Sequence, residues 1–102
     1  MKTSDFIKLI YSRIENDIPV AQERDLARIT ADSREVDEGA VFFCIKGAKV
    51  DGHDFAKEAV IKRNAALVIG EKDMEIERYI KVNSVKNVLK IILTTKYTQC
   101  NG

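Results

Sequence analysis

Two continuous β-favouring apolar runs, Val41-Phe42-Phe43-Cys44-Ile45 and Leu67-Val68-Ile69, flank a segment in which Phe55, Ala56, Ala59 and Val60 recur at helical spacing. A strand without polar alternation is apolar on both faces, as strands in the middle of a covered sheet are. Two such strands joined through a helix are normally parallel, with a right-handed crossover. This strand–helix–strand order therefore points to an α/β sandwich of two or three layers with a mixed, mostly parallel sheet.

The flanking segments extend the pattern. Phe6, Ile7, Ile10, Tyr11 and Ile14 share one face of a first helix of about eleven residues, with Ser4 as its expected N-cap and Asp5 at its positive end. Pro19 disfavours helical geometry at Ile18, so a connection follows through Arg24. Arg28 to Ser33 suits a short strand, Tyr79 to Val82 another, and Ser84 can cap a helix whose inner face is Val85, Val88, Leu89 and Ile92. The central helix should end near Asn64, because Asn tolerates the left-handed conformation that closes many helices. The sequence predicts one domain over residues 1–93 and a polar, frayed tail over 94–102.

Composition narrows the function classes. A chain of 102 residues, 45% hydrophobic, can bury one modest core. A net charge of +1 lacks the basic excess of a nucleic-acid binder, although residues 31–60 carry net −3 and residues 61–102 net +4. No apolar stretch approaches the roughly 20 residues of a membrane span, and the opening residues lead into a helix pattern, not a signal peptide. The expectation is a soluble cytoplasmic protein that binds neither nucleic acid nor membrane. With Cys44, Cys100 and the single imidazole of His53 there is no zinc set, and the thiols read as buried or idle.

Conventional catalytic constellations are missing. A nucleophilic pair would need His53 beside Ser33 or Cys44, which nothing in the sequence requires. The segment Gly47-Ala48-Lys49-Val50-Asp51-Gly52 has the first spacing of a phosphate loop but continues with His53, not Lys. Two loops after strands remain, Asp32-Ser33-Arg34 and Gly47 to His53, the second opening a helix. Backbone N–H groups, the Ser33 hydroxyl and the Arg34 or Lys49 cations there suit the oxygens of a diphosphate. The alternative is that the glycines permit a turn, Asp32 and Arg34 form a structural ion pair, and Lys49 points to solvent.

The runs Asp32-Ser33-Arg34-Glu35-Val36, Gly39-Ala40-Val41-Phe42-Phe43, Gly47, Asp51-Gly52-His53 and Ala65-Ala66-Leu67-Val68-Ile69 resemble the N-terminal domain of the Mur ligases over about residues 3–93. The similarity is greatest to the MurE type, which adds meso-diaminopimelate or lysine to a UDP-N-acetylmuramoyl peptide. This resemblance implies that Ala31 and Ser33, with Ala48, Lys49 and Val50 of the second loop, lie against the UDP moiety. Asp32 and Arg34 read as more structural than ligand-contacting, and His53 as bracing a loop or helix start in preference to catalysis. Where a Mur ligase usually has Gly, this chain has Asn64. In the intact ligase, ATP and Mg2+ serve formation of an acyl phosphate that an amine then attacks. The phosphate loop for that step has no counterpart in this sequence, so no catalytic residue is assigned and no cofactor is expected in this chain. The expected partner is UDP or a UDP-N-acetylmuramoyl peptide. A separately encoded remainder of the ligase is a further expected partner, and a protein-interaction module that keeps the fold without the ligand is the rival reading.

Overall fold

A computed structural model of the chain describes residues 1–17 and 22–101, with side chains as far as Thr94. The break expected at Ile18 and Pro19, the side chain of Cys100 and the terminal Gly102 lie outside the described residues.

Strands β1 (Arg28–Thr30), β2 (Ala40–Phe43), β3 (Leu67–Gly70) and β4 (Tyr79–Lys81) form one sheet in sequential order, every neighbouring pair parallel. The mostly parallel sheet expected from the sequence is borne out, and its four described strands are parallel throughout. Among the described residues antiparallel pairing is confined to isolated bridges, including Ile14 with Val82 and Lys46 with Asp51.

Alternation along the strands divides the core in two. Val41, Phe43, Leu67, Ile69, Ile80 and Val82 point to one face, where Phe6 and Ile10 of α1 (Thr3–Ile10) and Val85, Val88 and Ile92 of α3 (Val85–Asn101) cover them. Ala40, Phe42, Cys44, Val68 and Tyr79 point to the other, against Ala56, Ala59 and Val60 of α2 (Ala56–Ile61). Three layers result, and both inner strands are buried throughout. Each fully buried Phe, Leu or Ile contributes about 1.5–3 kcal/mol, so these two faces hold the molecule together. The helix α3 carries helical backbone to Asn101, through the polar stretch where the sequence predicts a frayed tail.

Several boundaries differ from expectation for local reasons. The N-cap of α1 is Lys2, whose N–H donates to the Asp5 carboxylate at 3.1 Å. Ser4 lies inside the helix instead, its N–H and hydroxyl both donating to Glu23, at 2.8 and 2.6 Å. A single 3-10 turn, Tyr11–Arg13, extends α1 toward the expected length. β1 stops at Thr30 because the Thr30 hydroxyl accepts the Asp32 N–H at 3.0 Å, and the chain turns into a 3-10 segment at Ser33–Glu35. Other elements follow the sequence closely. Ser84 accepts the Asn87 N–H at 3.3 Å as the cap of α3, and Asn64 takes the left-handed conformation, φ 57°, that closes the turn after α2. The outer edge of β4 is covered by Asn16, whose amide accepts the Lys81 N–H and donates to the Tyr79 carbonyl, each at 3.0 Å.

Candidate functional site

A parallel sheet brings the loops that follow its strands to a single edge. Here the loops after β1 and β2 face each other across an open cleft of about 910 Å³. Thr30, Ala31, Ser33 and Glu35 line one wall, Ile45, Gly47, Val50 and Gly52 the other, and Phe55 borders the cleft. The second wall is a tight hairpin. Lys46 bridges Asp51, the Gly47 N–H donates to the Val50 carbonyl at 2.8 Å, and the Gly52 N–H donates to the Ile45 carbonyl at 2.9 Å. Ala48 and Lys49 occupy its exposed tip.

The cleft combines apolar and polar surface. Ile29, Ile45 and Val50, which line it, are among the few large apolar side chains that remain solvent-exposed. The Ser33 hydroxyl has no hydrogen-bond partner among the described residues, whereas its neighbours do. The Arg34 guanidinium grips the Asp32 carboxylate with two bonds, of 3.0 and 2.8 Å, and Asp32 also accepts the Arg34 N–H. That side-chain bond, more than the backbone one, holds the Asp32 carboxyl down at about 2. The pair is therefore spent on shaping the loop. Lys49 enters no ion pair among the described residues and remains an exposed cation.

Behind the hairpin lies a network that sequence patterns did not foretell in full. Asp51 caps the 3-10 segment Gly52–Phe55 by accepting the His53 N–H at 3.0 Å, and the same oxygen lies 2.6 Å from His53 Nδ1. His53 is buried, and its Nε2 accepts the Glu71 N–H at 3.0 Å, which places the imidazole proton on Nδ1. Lys72 Nζ donates to the other Asp51 oxygen at 2.5 Å. The Lys72 hydrogen bond first, then the two from His53, keep the Asp51 carboxyl far below the ordinary carboxylate range. With both ring nitrogens engaged, neither is left to activate Ser33 or Cys44. Burial, with the Asp51 charge, pushes the Cys44 thiol up to about 12, so Cys44 offers no thiolate nucleophile.

The structure brings Ala31, Ser33 and Val50 into one cleft and sets Ala48 and Lys49 on the hairpin tip beside it. Thr30, Ile29, Ile45 and Phe55 join them without having been singled out by sequence. The exposed Ile45 at the end of an apolar run was the available signal. The 47–52 segment runs on into His53 where a phosphate loop has Lys, and no three acidic, His or Cys side chains cluster among the described residues.

Residues 25–100 match the family described as Mur ligase family, catalytic domain. Among similar proteins, the UDP-N-acetylmuramoyl-L-alanyl-D-glutamate--2,6-diaminopimelate ligase of Bacillus velezensis is 41% identical over 69 residues, 68% of this chain and 13% of that protein. The ligase of the same name from Clostridium botulinum is 33% identical over 97 residues, 89% of this chain and 20% of that protein. A crystal structure of MurF ligase from Thermotoga maritima in complex with ADP superposes with a TM-score of 0.57 at 35% identity, covering 65% of this chain and 16% of that one. MurF from Acinetobacter baumannii shares the fold at 22% identity, with a TM-score of 0.67 over 87% of this chain and 19% of its own. The chain thus spans a fifth or less of these relatives. A family match over well more than half the length, carried on the same parallel sheet, makes this chain a member of the Mur ligase family.

Proposed function

We propose that this chain is the recognition part of a MurE-type ligase, and that its cleft receives the UDP end of a UDP-N-acetylmuramoyl peptide. The observation that carries this reading is the meeting of Ser33 and the 46–51 hairpin across one open cleft. A nucleoside diphosphate needs an apolar wall for its base and donors or cations for its phosphates. Ile29, Ile45 and Val50 supply the first; the Ser33 hydroxyl, the free N–H groups of Ala48 and Lys49, and the Lys49 ammonium supply the second. The relatives that match over this region are ligases named for a UDP-N-acetylmuramoyl substrate.

Amide-bond formation with ATP and Mg2+ belongs, on this reading, to the remainder of a ligase, joined to this chain or separately encoded. The residues here bind and orient. No helix among the described residues is long and apolar enough to cross a membrane, and a cytoplasmic place suits the proposed role. Calorimetric titration with UDP tests the assignment. Binding at millimolar concentration or better, worth about 4 kcal/mol or more, is expected, and Ser33→Ala or Lys49→Ala should weaken it. Absence of binding at millimolar UDP overturns the assignment in favour of an interaction module that keeps the fold alone.

A further inference from the structure

We propose that Lys72 is a positioning residue for the nucleotide cleft: through Asp51 it anchors the 46–51 hairpin opposite Ser33. This inference rests on the function proposed above, and it follows from how the hairpin is held.

Between Ile45 and Val50 every residue is exposed, so no core packing fixes this wall of the cleft. Its internal closure consists of the two backbone bonds at Gly47 and Gly52. A short isolated hairpin is at best marginally stable in water, so its placement depends on its base. Asp51 is that base. One of its oxygens is bound to the backbone N–H of His53 and faces the His53 ring; the other is bound by Lys72.

Both anchors lead to the same place, the start of the loop after β3. His53 Nε2 takes the N–H of Glu71, and Lys72 is the next residue. Glu71 in turn accepts the Val85 N–H with its carboxylate, at 2.8 Å, which fixes that loop to the first turn of α3. The hairpin base is thereby tied to the junction of β3 and α3, a part of the fold with a buried core beneath it. Asp51 is 14% exposed and Lys72 55% exposed. The lysine therefore contributes little to the core, while its partner carboxylate is largely withdrawn from water and depends on its donors.

His53 is a poor probe of this arrangement, because it is buried in contact range of Gly70 and its loss would disturb the fold. Lys72, more than half exposed, is the milder probe. The test compares wild type, Lys72→Met and Lys72→Arg by thermal unfolding, by amide hydrogen exchange at Gly47 and Gly52, and by UDP titration. The expected result is that Lys72→Met melts several degrees below wild type, exchanges both hairpin amides about tenfold faster and binds UDP about fivefold more weakly, with Lys72→Arg restoring all three. If wild type binds UDP and Lys72→Met binds it equally with unchanged exchange, the positioning role is overturned and the cleft assignment survives. If wild type does not bind UDP, the cleft assignment fails and the exchange comparison alone decides whether Lys72 holds the hairpin. A fall in melting temperature with hairpin exchange and UDP affinity unchanged would make the lysine a general stabiliser and overturn the inference.

Discussion

Gly52 stands where the hairpin wall of the cleft returns to the sheet, and replacing it with Ala isolates one cause of its presence. No glycine among the described residues has a positive φ, so the usual backbone reason for glycine does not operate here. The reason is space. A Cβ on residue 52 would lie 2.7 Å from the Ile45 nitrogen, 3.0 Å from the Cys44 Cα and 3.1 Å from the Ile45 oxygen, all backbone atoms at the end of β2. None of these can swing aside as a flexible side chain would. Relief requires the 3-10 segment to move away from β2, which stretches the 2.9 Å bond between the Gly52 N–H and the Ile45 carbonyl. Overpacking of this kind costs about 1–3 kcal/mol and the weakened hydrogen bond about 1, against a gain of about 0.4–1 from the stiffer unfolded chain. A net loss of about 1–3.5 kcal/mol is expected from a domain whose total stability is on the order of 5–15. Urea denaturation followed by circular dichroism should show the midpoint falling by about 1–2 M with an unchanged slope. Gly47→Ala is the internal control, because its Cβ would meet only the Val50 oxygen, at 3.1 Å. It should stay within about 1 kcal/mol of wild type. Equal stability of the two variants would refute the steric reasoning.

The left-handed Asn64 gives a second prediction: Asn64→Ala should cost about 1–2 kcal/mol, and Asn64→Gly less, since glycine accepts φ 57° but loses the amide oxygen that Arg24 and Arg78 contact. Urea midpoints for the two variants would rank them, and a more stable Ala variant would contradict the account. Acid stability is the third. Asp32, at about 2, and Asp51, lower still, both titrate below their unfolded values, so their support is complete above about pH 4 and fades as pH falls through the native values. Stability measured at a series of pH values should be flat near neutrality and decline below about pH 4, less steeply in Asp51→Asn. A decline of the same steepness in that variant would remove Asp51 from the explanation.

What the sequence made visible was what depends on periodicity. Val41 to Cys44 and Leu67 to Ile69 are apolar without interruption because both faces of the sheet are covered, and with a helix between them that predicts parallel inner strands. Asn64 and Ser84 were readable because a left-handed turn and a helix cap each demand a narrow set of residues. Ser4 was misread as a cap because a serine inside a first helical turn looks the same until its partner, Glu23, is brought in from beyond a loop. The clamp at Asp51 was half visible. The Asp-Gly-His order announces a capped turn, but Lys72 lies 21 residues away and only the pairing of β2 with β3 brings it to the same carboxylate. Ser33 and Val50 were readable as residues of loops after strands. Their meeting across one cleft depends on β1 and β2 being parallel neighbours, and the apolar contribution of Ile29 and Ile45 depends on which side chains the edge of the sheet leaves uncovered.

The most direct test of the account is an amide-resolved NMR titration of the wild-type chain with UDP. The proposed site predicts saturable shifts concentrated at Ala31 to Glu35 and at Ile45 to Gly52, with the far edge of the sheet around β4 and Asn16 unmoved. Saturable shifts at any other surface, or a spectrum unchanged at millimolar UDP, would contradict it.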